Sequence, residues 1–291
     1  PRVAAEIPAL AYELAERFWP GPLTLVLRRT SAVPDGVTAG GETVAVRAPN
    51  HPVAQALLRA SNLPIAAPSA NRFGHTSPTT ARHVLDDLDG RIDMILDGGA
   101  TTIGVESTVL DLTVTPPVIL RHGGVTAEAL RAVIGLVVER TARNPETEDT
   151  PVVLASPGML DRHYAPRTPL TLFRGDGGLA ALLERGAQLQ RDGLRVCVLA
   201  LDEDRDAIER YGLSYVRLGT ESDLTEVARS LYFALRQADA SSAEALLARE
   251  PRGEGIGAAI RDRLTRAAEE IVLIPKQVFG KGESTNFSHE G

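Results

Sequence analysis

The chain has 291 residues, 43% of them apolar and 24% charged, with a formal net charge of −7. That length buries one large or two moderate cores, and the acidic balance argues against a broad nucleic-acid footprint, which is ordinarily basic. No apolar run nears the roughly 20 residues that cross a bilayer, no basic-then-apolar export signal is expected, and the single Cys197 in LRVCVLAL reads as a small core residue in a reducing, cytoplasmic setting.

From the N-terminal side, Ile7 to Phe18 carries apolar residues at helical spacing and stops at Trp19-Pro20-Gly21-Pro22, which cannot continue a helix. Leu23 to Leu27 reads as a strand and residues 33–37, VPDGV, as a turn. Glu42 to Arg47 alternates as a strand, with Thr43, Ala45 and Arg47 on one face. A helix over His51 to Ala60, a strand over Pro64 to Ala67 and a helix over Pro78 to Leu88 follow. Strands are then expected at Ile92 to Leu96, Ser107 to Leu112 and Val118 to Leu120, and a helix at Thr126 to Ile134. Strands with helices packed on them make residues 1–138 a twisted α/β domain.

Periodicity disappears over 139–169, where Arg, Asn, Pro, Glu, Thr and Asp mark a linker that ends in RHYAP. Over 170–272 four strands alternate with four helices, the pattern of a small Rossmann-like parallel sheet. Lys276 and Lys281 are the only lysines, and both fall in 273–291, a compositionally foreign stretch expected to be an unpacked, disordered tail. A body without lysine offers neither a P-loop nor a Schiff-base lysine, which excludes two large enzyme classes.

The densest chemistry lies from Ala67 to Thr80, APSANRFGHTSPTT. Small residues around Ala67 let a ligand approach the backbone, while Ser69 and Asn71 both donate and accept hydrogen bonds. Ser77 and Pro78 read as N-cap and first residue of the next helix, whose unpaired N–H groups favour an anion. The plainer alternative is a loop between a strand and a capped helix. Arg47, at a strand end, can clamp a small carboxylate bidentately or form a surface ion pair. Ser107 follows a Gly-Val-Glu turn, and Arg121 closes a strand before Gly123-Gly124, within reach of a phosphate. His163 and Tyr164 either fold as a water-excluding lid or pack between domains. No histidine has metal-ligand spacing, so no protein-held metal is expected, and no nucleophilic triad or paired-carboxylate motif appears.

Taken together, WPGPLTLVL from Trp19, ETVAVR from Glu42, the Ser69-x-Asn71 loop, Gly104-Val105-Glu106-Ser107-Thr108, the Arg121-His122-Gly123-Gly124 turn and SPGMLDRHYAP from Ser156 resemble the threonylcarbamoyl-AMP synthase family in its two-domain long form. The likeness runs over residues of about 8 to 270. It implies a YrdC-like α/β catalytic domain, here lacking its N-terminal part with a strand, a Thr-rich loop and a Lys-x-Arg element, plus the smaller Rossmann-like domain. It implies joining of L-threonine, bicarbonate and ATP into threonylcarbamoyl-AMP and pyrophosphate, with Mg2+ bound to ATP and no covalent catalytic residue. By the same resemblance Arg47, Ala67 and Ser107 serve threonine. Thr43, Ser69, Asn71, Ser77, Arg121, His163 and Tyr164 serve ATP. Partner proteins would pass the threonylcarbamoyl group to tRNA, with at most weak tRNA contact by this chain and no membrane association.

Two other classes stay open on sequence. A catalytically impaired fragment could act as a nucleotide- or RNA-binding module, which the expected loss of the Lys-x-Arg element favours. A hydrogenase-maturation carbamoyltransferase would share the domain, but its cysteine pairs do not occur here.

Overall fold

The computed structural model describes residues 2–139 and 164–275. The first of two sheets contains β1 (Ala4–Ala5), β2 (Leu23–Arg29), β3 (Thr43–Val46), β4 (Thr108–Asp111), β5 (Val118–Arg121) and β6 (Val138–Glu139). Its order is β1-β2-β4-β5-β6, with β3 also paired to β2. The β2–β4 and β5–β6 pairs are parallel and the others antiparallel. Helices α1 (Ala9–Phe18), α2 (Asp35–Thr38), α3 (Pro52–Ser61), α4 (Ala81–Leu88) and α5 (Ala127–Ile134) connect the strands. Leu14 of α1 and Leu130 of α5 bury against Leu23, Leu25, Leu110 and Ile119 of the sheet. The α1 helix ends where Trp19 turns extended ahead of Pro20, and its indole N–H donates to the Leu23 carbonyl.

Several expectations are corrected here. The first residues already belong to the sheet and its core: Ala4 pairs with Arg29 and is buried with Leu14 and Leu27. The turn expected at 33–37 contains one helical turn, α2. The apolar runs at 64–67 and 92–96 form no strand, and Ile65, Ile92, Met94 and Leu96 are exposed. Alternation alone makes no strand; a ladder needs a neighbouring chain segment, and none pairs with these runs among the described residues. The helix expected from Pro78 begins at Ala81, because Thr80 takes the N-cap role and accepts from the His83 N–H. Ser77 is drawn elsewhere.

The second sheet contains β7 (Leu170–Arg174), β8 (Val196–Leu201), β9 (Ser214–Gly219), β10 (Ala245–Arg249) and β11 (Glu270–Leu273), ordered β11-β7-β10-β8-β9 and parallel throughout. It thus has a fifth strand where a helix to 270 and four strands were expected. The expected tail boundary at 273 also moves outward, since the Ile274 N–H donates to the Arg174 carbonyl. Helices α6 (Gly178–Arg191) and α7 (Arg205–Arg210) cover one face, and α8 (Leu224–Asp239) and α9 (Gly257–Ala267) the other. Cys197 lies buried on β8, with its thiol pKa raised by desolvation. Residues 140–163, with His163 and most of the expected linker, and 276–291, with both lysines, lie outside the described residues.

The two sheets meet through α8 and α9. Gly104 (φ +82°) lies so close to α8 that a Cβ there would stand 2.2 Å from the Arg229 Cα and 2.3 Å from the Ala228 carbonyl oxygen. Two residues on, Glu106 receives three donors: Ser77 Oγ at 2.8 Å, Tyr232 Oη at 2.9 Å and Arg263 Nε at 2.8 Å. Arg263 is 0% exposed, and its Nη2 also donates to the His122 carbonyl at 2.9 Å. Arg236 of α8 donates to the Ser77 carbonyl at 3.2 Å, to that of Thr76 at 2.5 Å and to Asp87 at 2.6 Å. Tyr164, 2% exposed, lies under the Arg263 guanidinium and against Tyr232.

Burial pushes the Glu106 carboxyl pKa up, but the Arg263 and Arg121 charges and the donated hydrogen bonds win and hold it at about 2, against 4.5 ordinarily. A carboxylate held low stabilises the fold fully above about pH 4.5 and loses that contribution, on the order of 3 kcal/mol, as the pH falls toward 2. The unfolding free-energy gap between wild type and Glu106→Gln should accordingly be widest near pH 7 and close between pH 4.5 and 2. A pH-independent gap in urea titrations refutes that linkage. Gly104→Ala should cost on the order of 2–3 kcal/mol in the same assay, because both neighbours of the new Cβ are backbone; a loss below about 0.5 kcal/mol means the junction can part without penalty.

Candidate functional site

Strand register sets the site. Thr24 of β2 lies opposite Val109 of β4, and Val109 opposite Arg121 of β5. On the far side of β2, Leu25 pairs with Val46, which brings Arg47, the next residue, to the level of Thr24. One end of the sheet therefore presents Arg47, Thr24, Ser107 and Arg121 across four strands.

Side chains tie this row together. Ser107, 4% exposed, shares a 2.7 Å hydrogen bond with Thr24 Oγ1. Arg121 donates from Nε at 3.2 Å and Nη2 at 3.0 Å to the Ser107 carbonyl, and from Nη2 at 3.3 Å to Ser107 Oγ. Arg47 is open to solvent on one side, yet enough protein surrounds it that desolvation, followed by the Arg121 cation, lowers its pKa. Two guanidinium groups near enough to sense each other, beside buried hydroxyls, favour an anionic ligand such as a carboxylate or phosphate. Glu106 adds its charge from behind Arg121.

The remaining sequence-derived residues divide. Ser77, 7% exposed, joins the cluster from behind through its hydrogen bond to Glu106. Asn71 folds its own loop by donating to the Arg72 and His75 carbonyls, each at 2.9 Å, while its Oδ1 is buried without a partner among the described residues. Ala67 and Ser69 lie on the exposed irregular stretch before it. Thr43 faces Arg28, about 13 Å along β3 from Arg47 at strand rise. Tyr164 lies in the interdomain core, with burial raising its phenol pKa, and its carbonyl accepts from Thr76 Oγ1 at 3.1 Å.

Sequence reasoning missed Thr24, Glu106 as a hub, and the second domain's Tyr232, Arg236 and Arg263. One signal was present: on α9 the buried stripe Ala259, Ile260, Leu264 and Ala267 also contains Arg263, a cation on an apolar face. A hollow of about 380 Å³ does open in the second domain, between the ends of β7 and β10. Of its arginines, Arg249 pairs with Asp204 and Glu221, Arg252 pairs with Asp176, and Arg261 donates to the Gly253 carbonyl. The chemistry is better placed at Arg47, Ser107 and Arg121. Among the described residues, no group of three or more His, Cys, Asp or Glu could hold a metal ion, and no helix is long and apolar enough to cross a membrane.

Comparison with known proteins agrees with this architecture. The family model described as Telomere recombination, which covers the Sua5, YciO and YrdC group, matches residues 1–123, and the one described as Threonylcarbamoyl-AMP synthase, C-terminal domain, matches residues 125–269. Where an N-terminally incomplete catalytic domain was expected, both family models are matched, the first from residue 1 of this chain. The chain is 46% identical over 268 residues to the threonylcarbamoyl-AMP synthase of Bacillus subtilis, covering 91% of this chain and 75% of that protein. It is 42% identical over 268 residues to the Pyrococcus abyssi enzyme of the same name, covering 91% and 76%. The crystal structure of P. abyssi Sua5 complexed with L-threonine superposes with a TM-score of 0.83 at 40% identity, over 94% of this chain and 78% of that one. With two domains, both family models and these relatives in agreement, the chain belongs to the threonylcarbamoyl-AMP synthase family.

Proposed function

We propose that the sheet end bearing Arg47, Ser107 and Arg121 is where this threonylcarbamoyl-AMP synthase brings its anionic substrates together. As a member of its family the chain is an L-threonylcarbamoyladenylate synthase serving threonylcarbamoyladenosine modification of tRNA. The observation that carries the site assignment is the register that brings Arg47 and Arg121 to the level of Thr24 and the buried Ser107 at one end of the sheet. Arg47 would hold the threonine carboxylate, with Ser107 and Ala67 beside it. Arg121 and the loop bearing Ser69, Asn71 and Ser77 would face the nucleotide, with Thr43 at its outer edge.

In this reading the protein positions and neutralises. The threonine amine and bicarbonate form a carbamate with loss of water. A carbamate oxygen then attacks the α-phosphorus of ATP in line, and the bond to pyrophosphate breaks. No covalent enzyme intermediate is needed, so proximity and charge stabilisation supply the acceleration. Mg2+ enters as part of MgATP, held by phosphate oxygens. The product is a labile mixed anhydride, which separate tRNA-transfer proteins would consume in the cytoplasm. The working division places catalysis in 1–138, the connector in 139–169 and the supporting domain in 170–272.

Purified chain should exchange labelled pyrophosphate into ATP only with both threonine and bicarbonate present. Nucleotide binding without exchange would mark a binding module instead. Arg47→Ala should raise the threonine KM by about 10- to 100-fold, the loss of a charged hydrogen bond, with the ATP KM changed less than threefold. Equal loss for both substrates would refute the assignment of Arg47 to the amino acid.

A further inference from the structure

Beside the Arg236–Asp87 pair, the second domain makes polar contacts at three places that each adjoin a residue assigned to the ligands. Arg263 and Tyr232 bind Glu106, next to Ser107. Arg263 also binds the His122 carbonyl, next to Arg121. Arg236 holds the Thr76 and Ser77 carbonyls, and Glu106 closes the loop by accepting from Ser77 Oγ. An interface that served only to join two domains would need no such convergence, since apolar packing does that without desolvating a guanidinium.

We infer that the second domain is part of the nucleotide site's framework: through Glu106, Tyr232 and Arg263 act as positioning residues that hold the Ser77 loop in its binding geometry. This rests on the assignment of Ser77 to the nucleotide side. The coupling runs Tyr232 Oη to Glu106 Oε2, then Glu106 Oε1 to Ser77 Oγ, within one carboxylate. A carboxylate braced by two donors cannot rotate to follow the third. Loss of the Tyr232 hydroxyl frees it to turn, and Ser77 moves with it. Arg236 holds the same loop by its backbone carbonyls and pairs with Asp87 as well.

Tyr232→Phe deletes one oxygen and keeps the ring packing. It should raise the ATP KM five- to twentyfold while threonine KM and kcat stay within twofold. Amide exchange over 76–79 and 104–108 should quicken about tenfold. Ser77→Ala should produce the same ATP defect, and the double variant should be no worse than the poorer single one, because both act through one carboxylate. Arg236→Gln should reproduce the faster exchange at 76–79, giving a second reading should Tyr232→Phe lose the fold. Tyr215→Phe, at an exposed contact with Glu209 on the second domain, should change none of these. Unchanged exchange in both Tyr232→Phe and Arg236→Gln overturns the coupling itself, as do additive losses in the double variant. Faster exchange with an unaltered ATP KM, or a silent Ser77→Ala, also overturns the inference and places the fault in the assignment of Ser77 to ATP.

Discussion

A partly buried carboxylate and the fully buried guanidinium that it pairs with, Glu106 and Arg263, anchor the meeting of the two halves of this protein. Moving either charge out of water costs several kcal/mol, and their attraction repays it only when the remaining hydrogen-bonding capacity is met. Here it is met: Ser77 and Tyr232 also donate to Glu106, and Arg263 reaches Asp262 and the His122 carbonyl. A network so satisfied has few equivalent arrangements. A small rotation of one domain on the other would leave a charge buried and unpaired, a penalty that apolar surfaces do not impose.

The same network stands directly behind the candidate site. Arg121 and Arg47 are like charges, held at one level of the sheet by covalent continuity with four laterally paired strands. A carboxylate or phosphate there would relieve their repulsion. The Arg121 charge helps to hold Glu106 ionised, and Ser107 and Thr24 add two hydrogen-bonded hydroxyls at the same sheet end. Structural ion pair and chemical site thus share one electrostatic balance.

Legibility from sequence followed the range of the forces involved. Helix α1 was readable because Trp19-Pro20 stops it locally, and α5 because Thr126 caps it by accepting from the Ala129 N–H. The runs at 64–67 and 92–96 misled because alternation promises a strand while only a paired neighbour makes one. Ser77 misled in a different way: a Ser-Pro pair is a good helix start, but Glu106, 29 residues on, takes its hydroxyl, and Thr80 caps the helix instead. Of the candidate site, Arg47, Ser107 and Arg121 were readable as strand-end polar residues, whereas their common level on the sheet was not.

The sequence by itself determined the residue chemistry: a lysine-free body whose arginines and hydroxyls suit anions, the alternation of strands and helices in the second half, and the ordered motifs that resemble one family. Only the tertiary structure decided which of those residues share a place. Register across β3, β2, β4 and β5 and the docking of α8 and α9 are long-range pairings, and their energies depend on partners as far apart as the 157 residues that separate Glu106 from Arg263. Local propensity contains no information about such distances, so Glu106 became visible as the hub only once the chain was folded.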